Sequence, residues 1–138
     1  MQYRVKLIAA VCISMAATWV SFRAYAGLQT TENVMIGGFP FGAFAVGQMG
    51  TARSSADPNQ RLGCMVRQQV IPFALLDVIC VAITSTGQVL SCASRDTRHR
   101  DIAQSINPDS RLGFGVNANG QCLYISVTNS SAHETKQP

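Results

Sequence analysis

Short apolar runs bounded by turn residues recur along this chain, alternating with polar positions most clearly near its end, and one stretch repeats at helical spacing. Residues 77–84 (DVICVAIT) and 88–93 (QVLSCA) are rich in β-branched side chains and flank Ser85-Thr86-Gly87, which predicts strand, turn and strand. Residues 111–118 and 121–128 flank Asn119-Gly120, the dipeptide that a two-residue type I′ turn favours. Such a turn pairs Val116 with Leu123, Phe114 with Ile125 and Leu112 with Val127, all on one face. The other face sets Asn117 against Cys122 and Gly115 against Tyr124, whose ring can cover the bare glycine.

Upstream the pattern weakens. Residues 62–70 read as a strand carrying Cys64, interrupted by Pro72, which cannot donate to a ladder. Residues 42–50 (GAFAVGQMG) read as a strand weakened by glycine, and 51–59 as a polar loop marked by Asp57-Pro58. Helical spacing occurs over 97–106, where Ile102, Ala103 and Ile106 form a stripe, Asp96 can cap the start and Asn107-Pro108 stops it. The fold class is a β-rich α+β protein: an antiparallel sheet of about five strands with one short helix. The divisions are a signal over 1–26, a loose N-terminal arm over 27–41, a single β-rich domain over 42–129 and a flexible tail over 130–138.

The leader changes the bulk reading. Arg4 and Lys6 precede a 16-residue apolar stretch, and Ala24-Tyr25-Ala26 is a small-residue cleavage motif, so the mature chain begins at Gly27. The stretch is shorter than the roughly 20 residues of a bilayer span. The whole chain carries a net charge of +4. Without Arg4, Lys6 and Arg23, eight basic residues face seven acidic ones, which leaves +1. The basic balance therefore belongs largely to the leader and gives no reason to expect nucleic acid or an anionic membrane as partner.

Leader removal also takes Cys12 and leaves Cys64, Cys80, Cys92 and Cys122. An even set in an exported chain predicts two disulfides. Four cysteines allow three connectivities. If the turn at Gly87 has three residues, Cys80 lies opposite Cys92 and can bond to it, leaving Cys64 for Cys122; with a two-residue turn that pairing fails. The spacings contain no C-x2-C, C-x4-C or C-x-x-C pair, so neither a structural zinc site nor a thioredoxin-like redox role is expected. No cofactor is expected.

Candidate chemistry is sparse. His99 lies in Arg95-Asp96-Thr97-Arg98-His99-Arg100-Asp101, where Asp96 and His99 could serve a serine as an acid–base set. No G-x-S-x-G elbow supports this, and a solvated helical face with local ion pairs is the simpler reading. Arg95 and Arg98 are the basic residues of this run offered for binding. A second polar cluster, Arg53, Ser54, Ser55 and Asp57, suits a partner-binding loop or an Arg–Asp pair that stabilises a long loop. His133 falls in the tail, Asp109-Ser110 in a turn, and Asn129-Ser130-Ser131 fits a glycosylation sequon.

These residues also carry a resemblance. Gly50-Thr51-Ala52-Arg53-Ser54-Ser55-Ala56-Asp57 is followed by Leu62-Gly63-Cys64, Ser91-Cys92, Asp109-Ser110 and finally the run 120–131, GQCLYISVTNSS. Over 50–131 the chain resembles a group of small exported bacterial proteins with no assigned activity. The resemblance implies export and a cysteine-bearing β domain, and it implies no catalytic residue. The functional expectation is an exported, non-enzymatic binding or interaction module, periplasmic or secreted. The alternatives are a small secreted hydrolase using His99 with a serine and an aspartate, and a structural envelope protein.

Overall fold

The computed structural model describes residues 30–69, 75–130 and 132. The leader, Pro72, His133 and most of the tail lie outside these residues. Seven strands follow in chain order: β1 (Met35–Phe39), β2 (Gly42–Gln48), β3 (Arg61–Gln69), β4 (Leu75–Ile83), β5 (Val89–Ser94), β6 (Arg111–Asn117) and β7 (Cys122–Thr128). Helix α1 (Met49–Ser54) links β2 to β3, and α2 (Thr97–Gln104) links β5 to β6. The strands form two antiparallel sheets, ordered β1-β2-β6-β7 and β3-β4-β5.

The β-rich, antiparallel, two-disulfide character of the sequence reading stands, and its single sheet of about five strands with one helix is corrected. The cause is a non-local pairing. Strand β2 hydrogen-bonds to β6, some 70 positions away, from Gly42↔Asn117 to Gln48↔Arg111. Alternation along the chain carries no information about which strand becomes the neighbour.

The segment 35–39, assigned above to a loose arm, is strand β1. Gly37 lies under the Phe44 ring, with Phe44 Cε1 2.6 Å from where a β-carbon would stand, so the ring rests directly on the bare glycine backbone and would have to shift for any larger residue. The residues before β1 are held by two buried glutamines. Gln60 Oε1 accepts the Val34 N–H at 2.9 Å, and Gln48 Oε1 accepts the Glu32 N–H at 3.2 Å. Glu32 also takes a two-pronged ion pair from Arg111, at 2.6 and 3.0 Å. That carboxylate holds the Arg111 guanidinium above its ordinary pKa.

The two sheets contribute to one apolar cluster. Val78, Cys80 and Ala82 alternate inward along β4, and Leu112, Phe114 and Val116 along β6. Ala103 and Ile102 of α2, and Ile106 just past its end, pack against the same cluster, as their spacing predicts. Asp96 caps α2 by accepting the Arg98 N–H, also as predicted.

Both late hairpins use three-residue turns. Gly87 (φ 80°) and Gly120 (φ 77°) occupy the left-handed region that glycine tolerates. Thr84 and Gln88 close the first turn, and Asn117 and Gln121 close the second. The two-residue turn expected at Asn119-Gly120 is therefore corrected. Its register survives at Phe114↔Ile125, Leu112↔Val127 and Gly115↔Tyr124, because a β-bulge between Gly115 and Val116 absorbs the extra turn residue. Past the bulge, Val116 opposes Cys122 instead of Leu123. Cys122 thus joins the face of the buried Val116, while Leu123 stays exposed.

That bulge decides the disulfides. They are Cys64–Cys80, joining β3 to β4, and Cys92–Cys122, joining β5 to β7 across the two sheets. The connectivity Cys80–Cys92 with Cys64–Cys122 is corrected, although its condition is met: the turn has three residues and Cys80 does oppose Cys92. Cys80 lies on the central strand, so it opposes Cys64 on its other side as well. With Cys122 turned inward beside Cys92, the cross-sheet bond takes Cys92.

Candidate functional site

A cleft of about 650 Å³ runs along β5, between the start of α2 and the turn that leads into β7. Register builds its charged floor. Arg67 on β3 and Asp77 on β4 are cross-strand partners, and Arg95, just past β5, reaches the same carboxylate. Asp77 is 3.5 Å from Arg67 Nη2 and 3.2 Å from Arg95 Nε. One aspartate therefore serves two guanidinium groups.

The start of α2 supplies the wall. Arg98 folds back onto the cap, with Nη2 2.7 Å from Asp96 Oδ2 and Nε 3.2 Å from both carboxylate oxygens. This hydrogen bonding holds the Asp96 carboxyl down at about 2, well below its ordinary 3.8. Ser94 Oγ and His99 Nδ1 share a hydrogen bond of 2.7 Å, and the same Oγ accepts the Asp96 N–H at 3.1 Å. Asn117 and Gln121 close the far side, their side chains bonded to each other at 3.0 Å. Cys122 also borders the cleft.

Of the residues singled out from sequence, Arg95, Arg98 and His99 come together here, and Arg53 and Asp57 do not line the cleft. Arg53 instead reaches Asp109, at 3.4 Å, and the Pro108 carbonyl, at 3.3 Å. Asp57 shapes its own turn: Oδ1 accepts the Asn59 N–H at 2.9 Å, and Oδ2 is buried without a hydrogen-bond partner among the described residues. Arg53 and Asp57 thus do not form the pair offered as the simpler reading. Asp109-Ser110 sits in a turn, where the buried Ser110 accepts from the Asn107 N–H and donates to Asn129 Oδ1. Asn129 of the sequon spends its amide donor on the Ser105 carbonyl.

Arg67, Ser94 and Gln121 were not legible as site residues. Arg67 becomes one only through its register with Asp77. Ser94 becomes one because the capping turn at Asp96 folds α2 back toward the end of β5.

The sulfurs of Cys80, Cys92 and Cys122 all lie within 4.8 Å of one another. All three are in disulfides, so none offers the thiolate that a metal needs. Two disulfides belong with an oxidising compartment. Among the described residues no helix is long and apolar enough to cross a membrane. No protein-family model, no curated protein and no solved structure matches this chain.

Proposed function

We propose that this chain is an exported, non-enzymatic binding module, periplasmic or secreted, whose cleft holds a small molecule carrying a carboxylate or phosphate group. The observation behind this is a charge imbalance: three guanidinium groups, of Arg67, Arg95 and Arg98, line the cleft against two carboxylates, of Asp77 and Asp96. Asp77 divided between Arg67 and Arg95 leaves donors of both free to grip an anion, and the planar fork of arginine suits two-pronged recognition. Ser94, Asn117 and Gln121 add neutral polar groups along the walls. Among the described residues no tryptophan, tyrosine or phenylalanine lines the cleft to stack on a base, which favours a small ligand over nucleic acid.

Titration of the oxidised protein with inorganic phosphate and with succinate, followed by amide NMR at constant ionic strength, tests this reading. Saturable shifts at residues 94–99 and 121–123, lost in Arg67→Ala/Arg95→Ala, are expected. An absence of saturable shifts, or binding unchanged in that double variant, overturns it.

The Ser94–His99 hydrogen bond favours a second reading, a hydrolase. The aspartate this needs is Asp96, and its carboxylate is spent on Arg98 and the α2 cap instead of orienting His99. Hydrolysis of p-nitrophenyl acetate no faster than buffer, and equal for His99→Ala, is the outcome consistent with a binding module. Turnover that His99→Ala abolishes would establish the enzyme.

A further inference from the structure

The four disulfide-bonded cysteines are arranged as two half-buried outer members and two buried inner ones. Cys80 is fully buried and Cys92 nearly so, at 3% exposure, while Cys64 and Cys122 are each only partly covered. Each disulfide joins one outer cysteine to one inner one. The two inner cysteines are themselves direct cross-strand partners on β4 and β5, with sulfurs within 4.8 Å. A bond between directly opposed cysteines is a geometry this sheet already accepts one strand over, at Cys64–Cys80.

We propose that the two disulfides form one coupled thiol–disulfide exchange unit, which takes two electrons from thiol compounds and stores them as Cys64 and Cys122 thiols while keeping an internal Cys80–Cys92 bond. A thiolate entering by the cleft attacks the Cys122 sulfur and forms a mixed disulfide, and the electron pair of the broken bond leaves on Cys92. The Cys92 thiolate attacks Cys80, the Cys80–Cys92 bond forms, and the electron pair of the Cys64–Cys80 bond leaves on Cys64, which takes up a proton. A second thiolate resolves the mixed disulfide, releasing the substrate as its own disulfide and Cys122 as a thiol. Overall, two thiols become one disulfide, and the protein gains two electrons and two protons.

Attack at Cys64 instead frees Cys80, which attacks Cys92 and expels Cys122. Both routes end on the same pair of thiols because the freed inner thiolate attacks the inner cysteine directly opposite it across β4 and β5. Entry at Cys122 is favoured by its place: it opens β7 beside a turn and borders the cleft, which Cys64 does not. The arginines of the cleft favour the anionic form of an approaching thiol. The inference does not depend on the cleft holding a non-reactive anion.

Limited reduction of the oxidised protein with glutathione, alkylation at low pH and peptide mapping test it. The two-electron form is expected to carry alkyl groups on Cys64 and Cys122 and to yield a Cys80–Cys92 cross-linked peptide. Alkylation of Cys92 with Cys122 while Cys64–Cys80 stays intact, or of Cys64 with Cys80 while Cys92–Cys122 stays intact, overturns it. Cys122→Ser is an independent test, since the freed Cys92 should capture Cys80. The single reactive thiol is then Cys64; finding it at Cys92 overturns the inference. Should that variant not fold, mapping of the unaltered protein still decides.

Discussion

Cys80 and Cys92 oppose each other across β4 and β5, with their sulfurs within 4.8 Å, yet each is bonded to a different partner. Cys80 completes a bond within its own sheet, and Cys92 ties that sheet to β7. The two bonds should therefore differ in what they hold together.

Peptide mapping of the fully oxidised protein should recover Cys64–Cys80 and Cys92–Cys122. Loop-closure entropy for separations of 16 and 30 residues gives about 3 kcal/mol for the first bond and about 3 to 4 kcal/mol for the second. Cys92→Ala/Cys122→Ala should lose the larger amount in urea unfolding, since it also removes the covalent tie between the sheets. Equal losses from the two double variants would show that the cross-sheet tie adds nothing beyond chain closure.

Gln60 is the hinge pin of the N-terminal segment. Its Oε1 takes the Val34 N–H and its Nε2 donates to Ser55 Oγ at 3.1 Å. Gln60→Ala leaves a buried backbone donor without a partner, and a loss of about 1–3 kcal/mol follows from that alone. Hydrogen exchange should locate the damage: the Val34 amide and β1 should lose protection before β4 does.

Gly42 and Gly63 make a matched pair. A β-carbon at Gly42 would run into the Val116 carbonyl, whereas one at Gly63 meets nothing within 4 Å. Backbone cannot swing aside as a side chain can, so Gly42→Ala should cost about 1–3 kcal/mol. Gly63→Ala should leave stability nearly unchanged or slightly raised, because alanine restricts the unfolded chain. Chemical denaturation of both variants checks the contrast.

Asp96 makes stability depend on pH in the acid range. Its carboxyl is held near 2 in the folded chain against an ordinary 3.8, mainly by the Arg98 hydrogen bond. A depressed carboxyl pKa contributes stability that is complete above the ordinary value and disappears as pH falls through the folded one. The Tm gap between the protein and Asp96→Asn should therefore be constant above about pH 4 and close on approach to about pH 2. A gap that persists at the lowest pH would place the effect in capping geometry and not in charge.

Strands β2 to β7 and helix α2 were legible because each carries its own signal: a short apolar run, β-branched residues, a glycine turn, or a capped apolar stripe. The aromatic cover of Gly115 by Tyr124 followed from register alone, and a β-carbon at Gly115 would indeed collide with that ring. Strand β1 and helix α1 were not legible. Glycines and small residues blur alternation in MIGGF, and α1 has six residues, too few for an apolar stripe to repeat. Of the cleft, Arg95, Arg98 and His99 stood out as a charged run, but Arg67 and Gln121 had no local mark.

By itself, the amino-acid sequence determined the elements with a strong local period, the two glycine turns, the α2 cap and the absence of any metal-chelating spacing among Cys64, Cys80, Cys92 and Cys122. Tertiary structure decided what no local pattern encodes: that β2 joins β6 and so splits the strands into two sheets, and that Arg67 and Arg95 share Asp77. It also decided the disulfide partners, because a single bulge beside Gly115 reverses which of Cys122 and Leu123 faces inward. Side chains alternate with a period of two, so one extra residue in a turn exchanges the faces of everything it precedes until a bulge restores the count.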